Sequence, residues 1–124
     1  MKNTQILVVD DSSCFRLIAG EMLKEMGFSN ITQACDGVQA WQLLQNNFYD
    51  LVLSDYMMAE ISGIDLLKKM KQDSRLAEVP FVLVSAVSDT QVMQQALDLG
   101  AASCILRPLA YNLFRKEVAA IVSI

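Results

Sequence analysis

Residues 6–11 read ILVVDD: four aliphatic residues in unbroken succession, closed by two aspartates. A run of that kind suits a strand covered on both faces, because neither face offers polar residues to water. The pattern returns along the chain. Short apolar runs at Ile6–Val9, Ile31–Cys35, Leu51–Leu53, Phe81–Val84 and Cys104–Leu106 are each followed by polar or charged residues, and all five are predicted strands. The second, ITQAC, alternates apolar and polar, which suits a sheet edge; ILVV and FVLV suit the centre.

Between the runs, apolar residues recur at helical spacing. Phe15, Ile18, Ala19, Met22, Leu23 and Met26 mark a first helix, closed by Gly27 as its C-terminal cap. Ala40, Leu43 and Leu44 mark the second, and Ile64, Leu67 and Met70 the third. Val92, Met93, Ala96 and Leu97 mark the fourth, before Gly100, and Phe114, Val118, Ile121 and Val122 the fifth. Strict alternation of strand and helix with right-handed crossovers predicts an α/β fold: a doubly wound, five-stranded parallel sheet in a three-layer sandwich. With the second run at an edge, the strand order is 2-1-3-4-5.

Composition bounds the function. The 124 residues suit one domain spanning 1–124, and 53% hydrophobic content with only five Gly and two Pro supports a core without disulfides or a structural metal. The chain is expected to stop with its fifth helix, with no output domain. A net charge of -4 is opposite to a nucleic-acid binder's footprint. The apolar run near the N-terminus is too short for a signal peptide or a membrane span, so a soluble protein without membrane insertion is expected. Cys14, Cys35 and Cys104 are too widely spaced for a metal half-site and are expected to be small buried hydrophobes in a reducing cytoplasm. Histidine is absent, which removes the commonest zinc ligand, a Ser/His/Asp triad and a phosphohistidine of the chain's own.

In such a sheet, ligands bind beyond the carboxyl ends of the strands, where the strand order reverses, here between the first and third. Asp10 and Asp11 follow the first run, Ser54 and Asp55 the third, Ser85 the fourth, and Arg107 and Pro108 the fifth. Each has a plain structural alternative: Asp11 or Ser12 capping the first helix, Asp55 opening a turn, Ser85 starting the fourth helix, Arg107 as a surface cation. Together they are harder to dismiss, since three acids at one edge repel one another and raise their own pKa values unless a cation lies among them. A hard divalent ion such as Mg²⁺ answers that need and recruits phosphate oxygens. Asp55, beside the switch point, is then the best-placed carboxylate nucleophile toward a phosphoryl group.

The blocks VVDDSSCFRLIAGEMLKEMGF, LVLSDYMMAEISGIDLLKKMK, FVLVSA and GAASCILRPL resemble the signature blocks of bacterial response-regulator receiver domains of the stand-alone, CheY-like type, whose fold is flavodoxin-like. The resemblance runs over essentially the whole chain. It implies a phosphoacceptor at Asp55, charged by a partner histidine kinase or phosphotransfer protein in two-component signalling, with chemotaxis among the settings. It implies Mg²⁺, with Mn²⁺ as a substitute, held directly by Asp11 and Asp55, through water by Asp10, and by the backbone carbonyl of Met57. Ser85 matches the hydroxyl that turns toward the phosphoryl group. A cytoplasmic signalling switch is implied, not a turnover enzyme, and its downstream protein target would be met on the face of helix four, strand five and helix five. Gln91, Gln94, Gln95, Tyr111 and Arg115 are expected to be exposed there.

Three positions depart from the pattern. Arg107 replaces a lysine, which keeps charge and alters shape. Cys104 stands at the switch position usually held by Tyr or Phe, and Ala59 replaces a proline that would stiffen its loop. Met57 and Val87 are apolar where polar groups often influence acyl-phosphate hydrolysis, so a long-lived phosphoryl state is expected. These departures motivate an alternative: a degenerate receiver acting as a phosphorylation-independent binding module. An aspartate-nucleophile phosphohydrolase fits less well, because Met57 occupies the position of its second acid. A flavin binder fits poorly too, since DDSSC would set acids against a phosphate.

Overall fold

The computed structural model describes residues 3–86 and 88–122; Val87 lies outside them. Five strands alternate with five helices: β1 (Gln5–Val9), α1 (Ser13–Glu25), β2 (Asn30–Ala34), α2 (Gly37–Asn46), β3 (Leu51–Asp55), α3 (Gly63–Lys71), β4 (Phe81–Ser85), α4 (Thr90–Asp98), β5 (Ser103–Leu106) and α5 (Tyr111–Ile121). All strand pairs are parallel, in the order β2-β1-β3-β4-β5. The predicted sheet is the observed one.

Side-chain alternation divides the core into two layers. Ile6 and Val8 of β1, Leu51 and Leu53 of β3, and Val82 and Val84 of β4 pack with Phe15, Ala19 and Leu23 of α1 and with Phe114 and Val118 of α5. Leu7, Val9, Val52 and Leu83 point the other way, toward Ala40 and Leu44 of α2, Ile64, Leu67 and Met70 of α3, and Ala96 of α4. The inner strands therefore need apolar residues at every position, which is why they read as unbroken runs. Edge strand β2 is mostly half-buried, in keeping with its alternation.

Three strand ends differ from the sequence reading, β2 closing at Ala34, one residue before Cys35. Asp55 and Ser85 belong to β3 and β4, because the ladder continues past the apolar residues to the pairs Asp55 with Val84 and Ser85 with Leu106. A polar side chain does not end a strand whose main chain still has neighbours.

Five expected burials are also corrected. Ile18 and Leu97, assigned to apolar stripes, are 44% and 46% exposed, since they lie at the margins where a stripe outgrows the sheet beneath it. Cys14 and Cys35 are exposed and Cys104 is half-buried. Cys14 lies in the first turn of α1 and Cys35 just beyond β2, both at the rim where loops leave the core. Conversely, Tyr111 is half-buried rather than exposed, whereas Gln91, Gln94, Gln95 and Arg115 are exposed.

Polar caps start three helices. Ser12 accepts from the Phe15 N–H at the head of α1, Asp36 from Gln39 at α2, and Ser62 from Asp65 at α3, where Asp65 reciprocates in a capping box. Gly27 and Gly100 follow helix ends with φ of +103°, the left-handed conformation that glycine adopts without strain.

The head of α3 is pressed against the end of β3. The Gly63 N–H donates to the Tyr56 carbonyl at 2.9 Å, and a Cβ at Gly63 would collide with the Asp55 carbonyl oxygen and lie 2.9 Å from Leu83 Cδ1. Because one obstacle is backbone, side-chain rearrangement cannot relieve it. Gly63→Ala should therefore destabilise the fold by about 1–3 kcal/mol, read as a lower urea midpoint at unchanged slope.

Candidate functional site

At the carboxyl end of the sheet, β1 delivers Asp10, β3 Asp55, β4 Ser85 and β5 Arg107. One oxygen from each of Asp10, Asp11 and Asp55 lies within 4.8 Å of the others, with Asp11 exposed. Asp10 is 1% exposed and satisfied on every side. Its Oδ1 accepts from the Ser12 N–H at 2.8 Å and its Oδ2 from Arg107 Nη2. Its carbonyl accepts from Arg16 Nη1 at 2.6 Å, and Gln33 steadies Arg16 at 3.0 Å.

The same Nη2 of Arg107 lies 2.8 Å from Asp55 Oδ1, so one guanidinium nitrogen bridges the two buried carboxylates. The guanidinium carbon also lies 4.1 Å from the centroid of the Phe15 ring, a cation–π contact. Its main-chain N–H donates to the Ser85 carbonyl at 2.9 Å, and the peptide bond to Pro108 is cis. Among the described residues, no buried side-chain nitrogen or oxygen is left without a partner.

The electrostatics follow from burial. Asp55 has its pKa raised, first by desolvation, which outweighs the bond from Arg107, and further by the charge of Asp10. Burial works against the charge of Arg107, yet its bonds to Asp55 and Asp10 more than offset this and hold its pKa above the usual value. Burial also pushes the Cys104 thiol up. Oxygen-rich, carboxylate-dominated and half-open, the cluster suits a small hard cation and a phosphate group better than a soft metal.

The model of the response regulator receiver domain family matches residues 6–119. The chain belongs to that family. Chemotaxis protein CheY-3 of Vibrio cholerae is 32% identical over 117 residues, which cover 94% of this chain and 90% of that protein. Chemotaxis protein CheY1 of Helicobacter pylori is 33% identical over 115 residues, 92% and 93% of the two chains. Among solved structures, the signal receiver domain of a signal transduction histidine kinase from Syntrophus aciditrophicus superposes with a TM-score of 0.88 at 27% identity, covering 97% of this chain and 90% of that one. Vibrio cholerae CheY4 superposes with a TM-score of 0.87 at 22% identity over 96% and 98%, a likeness of fold.

Every site residue singled out in the receiver's sequence lies at or beside this edge except Cys104. That residue sits on β5 under α4, its thiol 3.6 Å from the Met93 carbonyl. Met57 is 69% exposed, so its side chain is largely in solvent. Three participants escaped the sequence reading. Phe15 reads as part of a core stripe, yet its ring also carries Arg107. Arg16 belongs to no stripe or motif, yet its Nη1 donates to the Asp10 carbonyl. Asp89 lies 3.3 Å from the Ser85 hydroxyl and had no motif to mark it. Of the plain alternatives, Ser12 does cap α1 and Ser85 does not start α4.

The raised pKa of Asp55 carries a pH signature. The folded receiver holds this proton more tightly than the unfolded chain, so the stability it contributes is full below the ordinary aspartate value and lost as pH rises through the raised one. In metal-free buffer, Asp55→Asn should therefore melt at a higher temperature than wild type at pH 7. That advantage should vanish by about pH 3, below the ordinary aspartate value; equal melting at pH 7 would contradict the assignment.

Proposed function

We propose that the chain acts as a single receiver domain and a phosphoryl-acceptor switch in two-component signalling, with Asp55 as the acceptor. The observation that carries this reading is the convergence of Asp10, Asp11 and Asp55 within 4.8 Å, beside Ser85 and Arg107, in a chain whose family is the response regulator receiver. An Asp55 carboxylate oxygen attacks phosphorus on a phosphohistidine of a partner kinase or phosphotransfer protein. The O–P bond forms as the P–N bond breaks, and the nitrogen's electron pair stays with the departing imidazole. With no histidine of its own, the chain takes the group from another protein.

Mg²⁺, or Mn²⁺ in its place, fits the donor set, and the carboxylates of Asp10, Asp11 and Asp55 with the Met57 carbonyl would hold it. When bound it neutralises charge on the phosphoryl oxygens. Ser85 donates its one hydroxyl proton to a phosphoryl oxygen, and Arg107 offers its remaining N–H groups to another. Beside Arg107 a cavity of about 570 Å³, walled by Phe15, Ile18, Pro108 and Leu109, leaves room for the donor to approach.

The output is a change in the surface of α4, β5 and α5, read by a downstream protein. The names of the relatives favour chemotaxis as the setting, and the switch reading implies the cytoplasm as the compartment. No helix among the described residues is long and apolar enough to cross a membrane.

One observation favours a second reading, a receiver that signals without phosphate: Arg107 already bridges the two buried acids and offsets part of their charge. Incubation with Mg²⁺ and acetyl phosphate separates the two. The switch requires a mass gain of one phosphoryl group that disappears in Asp55→Asn, whereas an unmodified wild-type protein leaves the second reading.

Arg107 and a divalent cation seek the same oxygens. Replacing it by methionine keeps the packing on Phe15 but removes a charge-assisted bond. Arg107→Met should therefore bind Mg²⁺ about tenfold more tightly by isothermal titration calorimetry. Unchanged affinity would show that the guanidinium does not compete.

A further inference from the structure

We propose that Asp89 is a positioning residue: it holds the Ser85 hydroxyl in the resting receiver, and its release makes it the cap of α4. The inference rests on the reading of Ser85 as a donor to a phosphoryl oxygen and adds the means by which that bond reaches α4.

Ser85 is 1% exposed, and its Oγ lies 3.3 Å from Asp89 Oδ2 and 3.4 Å from the Ala86 carbonyl. Asp89 immediately precedes α4, where aspartate is among the best capping residues. Yet its side chain makes no cap bond and its backbone stands at φ -94°, ψ 50°. The other polar N-caps behave differently. Ser12, Asp36 and Ser62 are all extended, with ψ of 116°, 175° and 168°, and each accepts from the residue three positions on. Asp89 has the right identity and position for the same task, but its carboxylate is turned back toward β4.

A serine hydroxyl has one proton. It can serve Asp89 or a phosphoryl oxygen, not both. Once it turns to the phosphoryl group, the Asp89 carboxylate loses its partner beside the head of α4, where main-chain N–H groups and the helix dipole attract negative charge. Rotation of Asp89 ψ toward the extended value of the other caps then lets it accept from the first turn. Phosphoryl transfer at Asp55 thus tightens α4 through the redirection of a single proton, and no aromatic side chain is required.

Amide hydrogen exchange followed by NMR tests this on the full chain, with the α5 amides as internal reference. Ser85→Ala frees Asp89 without any ligand, so exchange at Gln91 and Val92 should slow about fivefold against wild type, the effect of gaining a typical cap. Wild type with Mg²⁺ and beryllofluoride, an anion that mimics the acyl phosphate, should slow to the same extent. Asp89→Ala should abolish both effects, including in the Ser85→Ala background, whereas Asp89→Asn, which keeps an acceptor oxygen, should restore them. Unchanged Gln91 and Val92 exchange in Ser85→Ala would overturn the inference whatever the phosphoryl chemistry. Slowing in Ser85→Ala together with failure of beryllofluoride to bind would uphold the competition at Asp89 and overturn the phosphoryl-acceptor reading instead.

Discussion

Two ionised carboxylates cannot share the dry end of a parallel sheet without a cation between them, and the geometry of this receiver's site follows from that constraint. Asp10 is sealed in and Asp55 nearly so, and each stands at the end of an inner strand whose neighbours fix its position. Desolvation pushes such groups toward their neutral forms, and mutual repulsion adds to it. Arg107 meets the demand with one nitrogen placed against both. Its charge is thereby held strongly, and its guanidinium carbon lies over the Phe15 ring. A buried ion pair of this kind contributes little net stability compared with a well-packed apolar core. Its consequence is an acid pocket whose charge the protein's own cation already offsets in part.

The fold creates this problem and also supplies its answer. Strands β1 and β3 are adjacent because the order reverses there, which brings Asp10 beside Asp55. Strand β5 follows two places along, close enough for a long side chain to reach back. A lysine or arginine at the end of β5 can span that distance; a shorter residue could not. The apolar layers on both faces of the sheet hold the strand ends in register, and the crowding of Gly63 against the Asp55 carbonyl leaves that end little freedom.

How far this was legible in sequence depends on the range of the forces involved. Unbroken runs such as ILVV and FVLV report burial on both faces directly, because a strand's environment is written in consecutive residues. Strand order followed from ITQAC, the one alternating run, and the residues closing the runs located the site. Ile18 and Leu97 lie outside the core because apolar character gives a helix its inward face but not the width of sheet beneath it. The dual role of Phe15 was hidden since a ring in a core stripe looks the same whether or not a cation lies on it. Asp89 was hidden for a further reason: a side chain that caps and one that has turned away have the same sequence.

Arginine in place of lysine and cysteine in place of an aromatic belong to one argument. Without a Tyr or Phe ring at position 104, no large side chain can rotate inward to carry a change from the acid pocket to α4. What connects them here is shorter in range. Arg107 bonds the Ser85 carbonyl through its main chain and the acids through its side chain, so the ends of β4 and β5 share one residue's position. A lysine ammonium could neutralise the acids, but it has no planar face to rest on Phe15. The guanidinium would therefore keep a resting place on Phe15 if a bound metal took over the carboxylates, and its main-chain bond to Ser85 need not break. That leaves the Ser85 hydroxyl as the group free to change partners, with Asp89 on one side and the proposed phosphoryl group on the other. On the proposed reading, a signal leaving Asp55 would pass through a small set of competing hydrogen bonds, each with a definite alternative, as a two-state element requires.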